Sequence, residues 1–165
     1  MSVGSKRTWR KKDLRRAVYA EARAIDDRRF DDWLMLFTED LLYWMPLAFD
    51  QKEDDVHTAL FFEDRLLMQV RVARLSSPRA FSQHPASHCQ HVLQKPRVTR
   101  RDPEANVYET ATPFVYLESQ LDTQIVLGGV VHHQFVDDGG ALKIRRKRIE
   151  LINRDAALPS IQLFP

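Results

Sequence analysis

The chain has 165 residues, 44% hydrophobic and 29% charged, which suits one enclosed core and leaves too little length for two ordinary domains. Its 25 Lys and Arg residues are nearly balanced by 23 Asp and Glu, so a concentrated basic surface for nucleic acid is excluded as an expectation. No apolar run reaches the roughly 18 residues of a membrane span. No apolar stretch follows the basic residues at 6–12 to make a secretory leader, and the single cysteine, Cys89, cannot form an internal disulfide. A cytoplasmic protein without membrane or nucleic-acid partners is expected.

Residues 1–12 read as a flexible tail before a single domain spanning 1–165. Asp13 is a plausible N-cap for a first helix, because Leu14, Val18, Ala22 and Ile25 recur at helical spacing. After Asp26-Asp27-Arg28-Arg29, the set Phe30, Trp33, Leu34 and Phe37 marks the apolar face of a short second helix. Leu41 to Met45, ended by Pro46, predicts a buried strand, and the polar stretch 49–57 predicts an exposed loop. A third helix is expected from Phe62 to Leu75. Leu66, Leu67, Val70 and Ala73 make one apolar stripe on it, and Met68, Val72 and Leu75 another, so the helix should be enclosed on more than one side. Ser76-Ser77-Pro78 ends it.

From Ser87 the pattern changes to strands, at 87–100, 106–119, 123–136 and 141–152. Asp137-Asp138-Gly139-Gly140 predicts a hairpin loop. Leu142 and Ile144 share one strand face but Ile149 and Leu151 the other, which predicts a bulge near Arg145–Lys147. Helices followed by a meander of long strands define an α+β class, with a strongly curved antiparallel sheet wrapped into a cone-shaped barrel around the helices.

Several phrases in this order resemble the β (small) subunits of bacterial aromatic-ring-hydroxylating dioxygenases, which have the NTF2-like cone fold. They are the run from Ala24 to Phe37, Tyr43-Trp44-Met45-Pro46, Glu63-Asp64-Arg65, Arg71 to Leu75, Pro85-Ala86-Ser87-His88, Arg148 to Asn153, and Leu163-Phe164. The resemblance implies an oxidoreductase complex in which three β subunits form a trimer beneath three catalytic α subunits. In such a complex the α subunits carry a Rieske [2Fe-2S] cluster and a mononuclear iron, served by a reductase or ferredoxin. It implies no cofactor, metal or catalytic residue in this chain.

Several side chains could carry chemistry of their own. Cys89-Gln90-His91 imitates half of a Rieske motif, but the other half needs a second cysteine that the chain lacks. His84, His88 and His91 are close in sequence, yet His88 and His91 should point to opposite faces of a strand. The alternative to a scaffold is a stand-alone dehydratase or isomerase of the same fold. Its general base would be Asp40 beside Tyr43, or His88 or His91 beside Tyr108. The scaffold reading instead expects exposed contacts at Trp44, Leu47 and Phe49, and on the apolar segment Leu158, Ile161, Leu163 and Phe164. Arg71 and Arg74, three apart on one helix face, should belong to a subunit interface.

Overall fold

The computed structural model describes residues 8–48, 51 and 59–165. Helix α1 (Lys11–Asp26) buries Leu14, Val18, Glu21, Ala22 and Ile25 along one face. Asp13 sits at its third position instead of capping it from outside: its Oδ2 accepts a hydrogen bond from the backbone N–H of Arg10 at 3.0 Å. Trp9, expected in a flexible tail, is buried, and its indole N–H donates to Asp137 Oδ1 at 2.9 Å. The tail reading is therefore corrected for residues 9–12, because an indole with a partner for its polar end is better placed in the core than in water.

Helix α2 (Phe30–Leu34) is followed directly by strand β1 (Phe37–Pro46), which starts earlier than the predicted 41–45. Phe37 keeps its apolar role while leaving the helix, its ring meeting Trp33 edge-on at 5.1 Å. Strand β2 (Ala59–Glu63) pairs antiparallel with β1, Trp44 opposite Phe62 and Met45 opposite Phe61. It was missed because its residues merge with the apolar stripe of the next helix. Helix α3 (Arg65–Ser76) starts at Asp64, whose Oδ1 accepts from the N–H of Leu67 at 3.0 Å. Only Met68 and Val72 of this helix are buried, whereas Leu66, Leu67 and Val70 are exposed. The expected enclosure is thus corrected: α3 rests on α2, β1 and β2 by one narrow face.

The strand expected at 87–100 divides at Gln94–Pro96 into β3 (His88–Leu93) and β4 (Arg97–Asp102). Both pair with β5 (Val107–Gln120), one near each end of it. Strands β6 (Thr123–Asp138) and β7 (Ala141–Leu151) complete a sheet of order β2-β1-β7-β6-β5-β3, with β4 also beside β5. The hairpin turns on Gly139 and Gly140, with φ of +60° and +89°, the two positive values that a two-residue type I′ loop requires. Gln134 pairs with Arg146 and Phe135 with Ile144, which leaves Arg145 as the predicted bulge. One pairing, β1 with β7, is parallel. The sheet is therefore mixed, curved around the helices and open, not a closed barrel.

Candidate functional site

The interior of the cone holds ions as well as hydrophobes. Glu21 lies on the apolar face of α1, one turn from Val18 and Ile25, and is 2% exposed. Its carboxylate accepts hydrogen bonds from Lys147 Nζ at 2.8 Å and Trp33 Nε1 at 2.6 Å, and His133 Nε2 stands 3.4 Å from its other oxygen. Lys147 and His133 are opposite one another on β7 and β6, and the ammonium also lies 5.4 Å from the ring centre of Tyr43. Burial pushes the Glu21 carboxyl up, but the Lys147 charge and the His133 imidazole outweigh it and hold the group well below its ordinary range. Burial lowers the pKa of His133 despite Glu21, which keeps the imidazole neutral. Glu21 and Lys147 satisfy one another, whereas the His133 ring makes no hydrogen bond to the described residues. Trp33, Tyr43, Tyr108, Tyr116, Phe135 and Phe164 fill the space around the core.

The acid–base candidates do not assemble. Asp40 is exposed and pairs with Arg145 at 2.8 Å, across irregularities in both strands. The neighbouring Thr38 side chain and the Arg145 guanidinium together outweigh the cost of burial and lower its pKa, the opposite of what a general base requires. Tyr43 is fully buried, its hydroxyl donating to the carbonyl of Pro165 at 2.9 Å. His88 is exposed, and His91 faces Tyr116 across β3 and β5, whereas Tyr108 faces Arg101 on β4. The pocket of Asp40, Tyr43, His88, His91 and Tyr108 is therefore corrected: strand alternation and register separate its members.

What the sequence reading missed is the partner of His91. Asp26, the last residue of α1, accepts from His91 Nδ1 at 2.6 Å and from the His91 backbone N–H at 3.0 Å. It also accepts from Gln90 Nε2 at 3.0 Å, and the Cys89 thiol lies 3.6 Å from its Oδ1. Burial, followed by the Asp26 charge, pushes the Cys89 thiol up to about 12. The signal was available: Cys89 and His91 are two apart on one strand and so share a face. A Rieske cluster does not fit this chain, which lacks the second cysteine, and a two-histidine iron site does not fit a group containing one histidine.

The surface residues divide as well. Leu163 and Phe164, expected as exposed contacts, are fully buried in the chain's own core. Phe164 stacks against Trp33 at 4.3 Å and meets Phe30 at 5.9 Å. Arg71 holds this segment in place: it donates to Glu63 at 3.0 Å and to the Leu163 carbonyl at 3.2 Å, between the rings of Phe61 and Phe164. Trp44 is covered by Phe62 and Arg148, and Leu47 is half-buried. Phe49 lies outside the described residues, and Arg74 is exposed. The exposed apolar surface is elsewhere. On the outer face of the sheet, Val92 is opposite Val115 and Val115 opposite Gly128, over which Ile152 folds. Leu117 and Val126 make the next row. Val92, Val115, Leu117, Val126 and Ile152 are all more than 40% exposed, Ile152 most at 73%.

A cone packed with aromatic rings around a buried Lys147–Glu21 pair, with an apolar outer face, is the NTF2-like fold. Structural comparison agrees on the fold. The β subunit of benzoate 1,2-dioxygenase from Burkholderia mallei superposes with a TM-score of 0.75 at 23% identity, over 96% of this chain and 99% of that one. An NTF2-like protein with a cystatin-like fold from Novosphingobium aromaticivorans gives 0.60 at 14% identity, over 89% and 84%. The family model for the ring hydroxylating beta subunit matches residues 20–156, and the chain belongs to that family. The chain is 27% identical over 124 residues to the benzene 1,2-dioxygenase subunit beta of Pseudomonas putida; the match covers 68% of this chain and 64% of that relative.

Proposed function

We propose that this chain is the small structural subunit of an aromatic-ring-hydroxylating dioxygenase, an enzyme only within its complex. Its partners are catalytic α subunits bearing the Rieske cluster and the mononuclear iron, which receive electrons from a reductase or ferredoxin. Three copies of the chain form a trimer that supports three α subunits in the cytoplasm. No described helix is long and apolar enough to cross a membrane.

The observation that carries this reading is the exposed apolar face on β3, β5 and β6. A contiguous patch of Val, Leu and Ile is costly in water and marks a contact surface. A closed ring of three needs two different surfaces on each copy, since a threefold axis cannot pair a patch with itself. The exposed stripe Leu66, Leu67 and Val70 on α3 supplies a second one. Stand-alone acid–base chemistry has no comparable support once Asp40 is paired with Arg145 at the surface.

The test is native mass, measured on the chain alone and after co-expression with a catalytic large subunit. The expected result is a trimer alone and a heterohexamer with iron confined to the large chain. Val126→Asp should lower the mass of the isolated chain while leaving its far-ultraviolet circular dichroism unchanged. A monomer that ignores the large subunit would overturn the reading.

A further inference from the structure

We propose that Asp26, Cys89 and His91 form a site for one soft divalent transition-metal ion of the zinc class, which ties the end of α1 to β3. The ion is separate from the iron centres assigned to the partner subunit and has a structural role.

The residues come together for reasons already visible in the chain. Cys89 and His91 alternate with Gln90 on β3, so both point towards α1. Asp26 closes the last turn of α1 against them. Among the described residues these are the His, Cys and acidic side chains that converge, with a carboxylate oxygen, a thiol sulfur and an imidazole nitrogen all within 4.8 Å of one another.

The spacing decides between a hydrogen-bonded clasp and a metal site. Metal bonds of about 2.0 Å to N and O and 2.3 Å to S, at tetrahedral angles, separate N from O by roughly 3.3 Å and S from O by roughly 3.5 Å. The S···O separation is 3.6 Å, already that of two ligands on one ion. The N···O separation of 2.6 Å is that of a proton shared between the atoms. Replacing that proton by an ion needs the imidazole and carboxylate to part from 2.6 Å to roughly 3.3 Å, a movement of about 0.7 Å. The thiol proton leaves in the same step. The imidazole proton moves from Nδ1 to Nε2, so one proton is exchanged for one dication, and with two anionic ligands the filled site is neutral.

The surroundings fit a held ion. Gln90 Nε2 and the His91 backbone N–H fix the second oxygen of Asp26, the outer hydrogen bonding that orients a ligating carboxylate. The Tyr116 ring backs His91 at 5.0 Å. On the other side, a groove of about 570 Å³ between α1 and β3 is lined by Asp26 and His91. One thiolate, one imidazole and one carboxylate select zinc or cobalt over calcium and magnesium, which prefer all-oxygen shells.

The experiment is addition of Co²⁺ to the purified full-length chain, followed by absorption spectroscopy. One equivalent should bind with intense visible bands of four-coordinate cobalt and a near-ultraviolet thiolate-to-cobalt band, and equimolar Zn²⁺ should displace it. Cys89→Ser should abolish the near-ultraviolet band and weaken binding ~10-fold or more, a typical loss for a disturbed metal site. Circular dichroism checks that the variant remains folded, and the wild-type spectrum decides the matter if it does not. Cobalt that binds without the thiolate band, or no binding at one equivalent, would overturn the proposal and leave a hydrogen-bonded clasp.

Discussion

Lys147 and Glu21, 126 positions apart, meet at 2.8 Å in the middle of the core, each 2% exposed. The pair joins β7 to α1, and Trp33 completes the shell of the carboxylate from α2. A buried pair of this kind contributes little beyond what an apolar pair would, but losing one member strands a charge. Glu21→Gln and Lys147→Met should each cost about 3–5 kcal/mol. The double variant should cost clearly less than their sum, measured by urea unfolding in a double-mutant cycle.

The same cluster sets an acid limit. His133 faces Glu21 and Lys147, and its pKa is depressed in the folded chain, so the unfolded chain binds the proton first as pH falls. Its contribution is complete above the unfolded value, roughly 6.5, and declines below it. Glu21 is also depressed, so its contribution is complete above roughly 4.3 and is lost as pH falls further. The urea midpoint should be flat between about pH 7 and 8, lower at about pH 5.5 and steeply lower below about pH 4. A midpoint that rises on acidification would contradict this assignment.

Phe164 is fully buried against three aromatic rings and clamped by Arg71. Phe164→Ala should cost about 3–5 kcal/mol through lost transfer and the cavity left behind. Arg71→Lys should also destabilise, since an ammonium cannot reproduce the guanidinium's two hydrogen bonds and its stacking between Phe61 and Phe164. Thermal unfolding of the two variants measures both effects.

Neighbouring glycines should behave in opposite ways. A Cβ on Gly129 would lie 1.9 Å from the backbone oxygen of Glu150, so Gly129→Ala must push β6 and β7 apart, at about 1–3 kcal/mol. A Cβ on Gly128 would meet its nearest atom at 3.6 Å, and Gly128→Ala should be tolerated. Comparing the two melting temperatures checks the register of this pair of strands.

The class, the three helices followed by long strands, the Gly139-Gly140 turn and the Arg145 bulge were legible, because periodicity and turn chemistry are local; β2 and the division of β3 from β4 were not. The limits of local reading are equally specific. Leu66, Leu67 and Val70 look like core to a periodicity argument, which cannot tell a buried stripe from an exposed one. Leu163 and Phe164 look like an exposed apolar segment until the space above Trp33 is known. Glu21 gave no sign of burial, since its partners lie far away on β6 and β7. His91 was considered beside Tyr108 because only the register with β5 places Tyr116 opposite it. Asp26 was read as part of a polar break, and the approach of β3 is what makes it a ligand for its neighbours.

The parallel pairing of β1 with β7 carries a kinetic consequence. Synthesis runs from the N-terminal side, so α1 and β1 emerge long before the strand and the aromatic segment that cover them. During that interval Trp33 and Tyr43 are uncovered, Glu21 lacks its counter-ion, and one edge of β1 is free to pair with another chain. Nascent copies are therefore most prone to aggregate before residues 141–164 have left the ribosome, and chaperone binding should concentrate on this first quarter of the sequence.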